Sequence, residues 1–154
     1  MKITKLKAEE TRESGFTHKA IITFADFAGV AAVTKVHTLI SGLVAGFLVR
    51  AAAFRLVHGF VGTDVTALTL QVGWNGATSD DDNGLIEAVE LATAGTEILA
   101  GDGTGAAFAT KRTGFAPLEA ATIEALFTAT GANVSVLTAG EVHIYLAVSD
   151  LRVL

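Results

Sequence analysis

The stretch Glu141-Val142-His143-Ile144-Tyr145-Leu146-Ala147-Val148 decides the fold. Val142, Ile144, Leu146 and Val148 take every second position, between Glu141, His143, Tyr145 and Ala147. In extended chain, successive side chains point to opposite faces, so this alternation sends one set to a core and the other outward. A helix would scatter the same residues around its circumference. The pair Ala139-Gly140 breaks the chain immediately before. The segment is predicted to be a strand.

Working outward, the same period recurs. In His18 to Asp26, Ala20, Ile22 and Phe24 fall on one face, and Thr34 to Ile40 is rich in β-branched residues. Asp64 to Val72 sets Thr66, Leu68, Leu70 and Val72 against Val65, Ala67, Thr69 and Gln71, with a loop expected at Trp74-Asn75-Gly76. These read as strands separated by turns. Two segments carry both periods. Phe47, Arg50, Phe54 and His58 have helical spacing, and Pro117-Leu118-Glu119 could open a helix over Ala120 to Phe127. The alternation of Ile123, Ala125 and Phe127 with Thr122, Glu124 and Thr128 favours strands, and a short helix over Leu85 to Leu91 stays open. With 16 Gly and 1 Pro, turns fall to Gly, Asn and Asp. Six to eight short strands predict an all-β, antiparallel β-sandwich or barrel over residues 18–154 as one domain.

The first seventeen residues, MKITKLKAEETRESGFT, hold much of the basic charge and end near Gly15. They read as an extended N-terminal arm, 1–17, able to reach about 56 Å at roughly 3.3 Å per residue. No apolar core follows the charged start, so no signal peptide is read there.

Composition narrows the function classes. The 154 residues contain no Cys, which excludes disulfides, thiolate metal sites and a Cys nucleophile. The uncharged run from Val36 to Val49, between Lys35 and Arg50, is shorter than the ~20 residues a membrane helix needs, so no membrane partner is expected. Net charge is −5, and Leu56 to Thr110 holds eight acids and no Lys or Arg. Such a surface repels phosphate, so nucleic acid is not an expected partner. Apolar residues make up 51% of the chain against 18% charged, with mean hydropathy +0.51. That excess favours burial between subunits.

The residues capable of chemistry do not form a recognisable site. His18, His37, His58 and His143 lie in separate predicted strands, with no pair spaced for one metal. Ser41, Ser79, Ser135 and Ser149 lack the Gly-x-Ser-x-Gly elbow that exposes a nucleophile. Gly101-Asp102-Gly103-Thr104-Gly105 lacks the Gly-Lys-Ser/Thr of a phosphate loop and reads as a strand connection. Asp80-Asp81-Asp82-Asn83-Gly84 clusters the hard oxygens that Ca²⁺ takes, but Leu85 and Leu91 stand where a helical calcium loop needs Gly and Glu. An exposed acidic turn accounts for it. One Trp and one Tyr offer little stacking surface for sugars. The reading is no enzyme, with no catalytic, cofactor-binding or metal-ligating residue and no cofactor.

The later elements carry a resemblance. Leu68-Thr69-Leu70-Gln71-Val72-Gly73 is followed by the acidic turn, Gly84-Leu85-Ile86-Glu87-Ala88-Val89-Glu90-Leu91 and a Gly-rich loop. Then come Ala121 to Asn133 (ATIEALFTATGAN) and Leu137 to Tyr145 (LTAGEVHIY). This order resembles the small structural, decoration or cement proteins of tailed-phage virions, over about Phe47 to Leu151. The resemblance implies a jelly-roll-like β-sandwich that forms a homotrimer, binds the major capsid protein on the outer capsid lattice, and has no catalytic residues to transfer. It implies a location in the virion, at the capsid surface, after synthesis in the host cytoplasm. Two other readings share the architecture: a neck, tail or fibre-attachment protein of a phage particle, and a glycan-binding module.

Overall fold

The computed structural model describes residues 1–76, 80–92, 116–117 and 120–153. Among these residues, eight strands form two antiparallel four-stranded sheets. They are β1 (Lys2–Lys5), β2 (His18–Thr23), β3 (Thr34–Leu43), β4 (Phe47–Gly62), β5 (Ala67–Gly76), β6 (Asp80–Glu90), β7 (Ala121–Thr130) and β8 (Leu137–Asp150). One sheet runs β1-β2-β8-β4 and the other β3-β7-β5-β6, and together they form a sandwich.

The deciding stretch lies in β8, between β2 and β4. Val142, Ile144 and Leu146 are buried and Val148 is half-buried, because their face looks onto the opposite sheet. Across from it, β5 buries Leu68, Leu70 and Val72, and β7 buries Ile123, Ala125 and Phe127. Aromatic rings join the layers. Phe27 stands edge-on to Phe127 of β7 at 5.0 Å and to Phe60 of β4 at 5.9 Å. Such pairs add roughly 0.5–1.5 kcal/mol beyond the area they bury.

Both two-way segments are strands, β4 and β7. The helix reading of Leu85 to Leu91 is corrected, since these residues fall largely in β6. The cause is a register shift: Leu70 pairs with Val89 but Val72 with Ile86, so β6 carries an extra residue. Its inward Ile86 and Val89 therefore stand three apart, a spacing that imitates a helix. The acidic turn is corrected likewise, because Asp80 and Asp81 pair with Asn75 and Trp74. β5 extends through Gly76, over residues expected to form a loop.

Phe24 also departs from expectation. The Thr23 N–H donates to Asp26 Oδ2 at 2.8 Å, which closes a 3₁₀ turn over Phe24–Phe27. Phe24 is left 40% exposed, and Phe27 takes the core position. The N-terminal arm is laid back along the body. β1 pairs antiparallel with β2, and a short helix, α1 (Ala8–Ser14), follows. Glu10 Oε2 accepts the Lys7 N–H at 2.9 Å to start that helix. Gly15 stops it in the left-handed region at φ 76°, where its N–H still reaches the Thr11 carbonyl.

Candidate functional site

The four histidines remain on separate strands. His18 of β2 holds Thr17 Oγ1 at 2.8 Å from Nδ1, and burial together with the Lys5 charge lowers its pKa. His58 of β4 is exposed. His143 of β8 lies 2.6 Å from Glu141 Oε1 through Nε2, while its buried Nδ1 has no hydrogen-bond partner among the described residues. His37 of β3 is buried between Phe27 and Phe127. Ser41 lies in β3, Ser149 in β8 and Ser135 in a 3₁₀ turn; Ser79 and Gly101–Gly105 fall outside the described residues.

Among the described residues, no three His, Asp or Glu side chains gather as a metal site. Asp81 Oδ1 accepts the Asn83 N–H at 3.2 Å, a local backbone contact. Among the described residues β6 ends its sheet, and charge along such an edge disfavours pairing with stray chains.

The outward face of the first sheet is partly covered. Tyr145 meets Phe16 at 5.7 Å, and the Lys19 ammonium lies 5.6 Å from the Tyr145 ring centre. Beside them is an open hollow of about 370 Å³ lined by Leu6, Glu10, Glu13, Ser14, Lys19 and Tyr145. The Tyr145 ring is thus in contact with Phe16 and Lys19 of its own chain. Trp74 is half-buried against the core and packs over Gly84, where a Cβ would strike its ring.

The second sheet presents a different surface. The register sets Thr34, Thr128 and Thr69 in one row across β3, β7 and β5, and Val36, Leu126 and Gln71 in the next. Thr38 stands beside Glu124. Lys35 is the one Lys or Arg in the four strands of this sheet, and its pairing with Phe127 puts it on the inner side. Among the described residues, the outer side of these strands is therefore a surface of Thr and aliphatic side chains with carboxylates, and Lys35 does not point to it. Three of the exposed large apolar residues, Val33, Val36 and Val44, lie on or beside β3. Protein interfaces are depleted of Lys at their centres and can be apolar there. A search for chemical motifs passes over such a face; the absence of Lys and Arg from Leu56 to Thr110 covers only its β5 and β6 part, and the β3 and β7 part lies outside that run.

No family model matches the chain, and no curated protein or solved structure matches it significantly.

Proposed function

We propose that this chain is a structural protein of a tailed-phage virion, a capsid decoration or cement protein that binds the outer capsid lattice as a homotrimer and stabilises it. The observation that carries the reading is the outer face of the second sheet, a cation-free plane of Thr34, Val36, Thr38, Thr69, Leu126 and Thr128 suited to burial against another protein. The strand order adds support. β2 with β8, β3 with β7 and β5 with β6 pair as nested layers, first with last, as in a hairpin wound into a jelly roll.

The mechanism needs no bond chemistry. A shell under internal pressure fails where neighbouring subunits separate. A clamp that binds only the joined arrangement favours it by mass action. A trimer engages several major capsid subunits at once, so modest contacts multiply. The test is light scattering on purified protein, followed by sedimentation with capsid shells lacking it. A trimer that saturates the shells and raises their rupture temperature is expected. A clean monomer at micromolar concentration, or shells that sediment bare, would overturn the reading.

A further inference from the structure

Glu124 is the one Asp or Glu in strands β3, β5 and β7, and it lies on their outer side. Its surroundings are cut back. The register sets Thr38 on one side of it and Gly73, which has no side chain, on the other. Toward the start of β7, Thr122 pairs with Asn75 and Ala121 with Gly76. β3 loses regular pairing between Ile40 and Leu43, where Gly42 lies, and such irregularities re-aim the chain locally. The result is an open hollow of about 410 Å³ whose lining includes Gly42, Asn75, Gly76, Ala121, Thr122 and Glu124.

The carboxylate is held in place at the wall of this hollow. Thr122 Oγ1 donates to Glu124 Oε1 at 2.9 Å, and the same hydroxyl lies 3.4 Å from the Asn75 carbonyl of β5. One such bond leaves an ionised carboxylate with acceptor sites for a further donor group. A fixed negative charge selects a cation and repels an anion. None of the residues around the hollow is aromatic, so a sugar finds no ring to stack on. Among the described residues, no second and third carboxylate or imidazole joins Glu124 to hold a metal.

We propose that this hollow is the anchor socket of the docking face, and that it takes an arginine side chain of the partner protein on which that face closes. The inference rests on the docking role proposed above and names the chemistry its partner presents. The socket is continuous with the face: Thr38 neighbours Glu124 on β3, and Leu126 follows it by two residues on β7. Arginine is the occupant because its planar fork can meet a carboxylate with two parallel N–H donors, which lysine cannot do. Interfaces are also enriched in Arg and depleted in Lys, and Arg is among the few residues that dominate their binding energy. Pockets of about 300–1,000 Å³ take whole small ligands, so a hollow of this size has room for one guanidinium and its stem.

NMR of the full-length chain, titrated with N-acetyl-arginine amide and with its uncharged isostere N-acetyl-citrulline amide, tests the socket without any capsid. Weak, millimolar binding of the arginine compound alone is expected, with the amide signals of Gly42, Gly76, Thr122 and Glu124 shifting. Glu124→Gln keeps the shape of the side chain and is expected to abolish those shifts, while an otherwise unchanged spectrum shows the fold intact. Shifts that citrulline amide or maltose reproduces, shifts that persist in Glu124→Gln, or no shift at these amides overturn the socket. Capsid shells give a second readout: Glu124→Gln is expected to bind them roughly tenfold more weakly than wild type. Equal binding of the two proteins overturns the socket while the docking role stands. Shells that take up neither protein overturn the docking role, and the titration with arginine amide then decides the socket by itself.

Discussion

Acid is predicted to weaken this sandwich through His37. Its side chain lies on the inner side of edge strand β3, 7% exposed. It meets the Phe27 ring at 5.3 Å and the Phe127 ring at 5.7 Å, both nearly perpendicular. Its Nε2 has no hydrogen-bond partner among the described residues. A charge placed there loses its hydration without replacement, and Lys35 and the Met1 ammonium repel it, so the pKa falls from 6.5 to about 4. Asp26, on the neighbouring 3₁₀ turn, is already paired with that ammonium and with Thr23. Attraction of an imidazolium to the two Phe rings offsets at most about 2 kcal/mol.

The sign follows from the lowered value. Above pH 6.5 the residue is neutral both folded and unfolded, and its packing contributes in full. Below 6.5 the unfolded chain takes the proton first, and stability is lost until the folded protein also accepts one near pH 4. The displacement from 6.5 to about 4 corresponds to about 3 kcal/mol. That is a large part of the 5–15 kcal/mol typical of a domain. Urea unfolding of wild type and His37→Leu from pH 7 to pH 4 measures it. The variant should match or exceed wild type at pH 7, since it deletes an unsatisfied buried nitrogen, and should lose about 3 kcal/mol less on acidification. His18 also has a lowered pKa, but it is common to both proteins and cancels. Parallel stability curves, or the His37 imidazole titrating near 6.5 by NMR, would refute the reasoning.

Ile144→Asp should abolish folding, because it places a carboxylate at a fully buried position of the central β8; native-like circular dichroism would show the face misassigned. Gly131→Ala should cost about 2 kcal/mol or more, since its φ of 94° is strained for any side chain and a Cβ would run into the Asp64 carbonyl oxygen. Chemical denaturation measures this, and an unchanged midpoint would contradict the turn geometry. EDTA should leave the melting temperature unchanged, because the Asp81 carboxylate serves its own backbone; a fall of several degrees, reversed by Ca²⁺, would restore the cation reading of Asp80 to Asp82.

The strands that alternate strictly were legible in the sequence. β7, and β8 from Glu141 to Leu146, each pair without interruption along one neighbour, so every second side chain is buried there and the pattern survives in the amino acids, whereas Ala147, expected to face outward, is buried beside Leu146 where the pairing with β4 shifts. β6 was illegible for the opposite reason, since shifts in its pairing with β5 change the phase of the pattern. The fate of Phe24 turned on a side-chain bond from Thr23 to Asp26, which no periodicity records. Helix α1 was missed because it buries nothing and so has no apolar stripe to detect. The surface was legible in part. The run without Lys or Arg announced an acidic, cation-free region, but its gathering into β5 and β6 of one sheet depends on strand pairing between distant segments.

The most direct test of the proposed role is an electron-microscopy reconstruction of the phage particle the proposal implies, at a resolution that separates β-sheets. The account predicts density for this sandwich as threefold clusters repeated over the outer shell, hundreds of copies in all. Density confined to a neck or tail ring, or a particle without the protein, would contradict it.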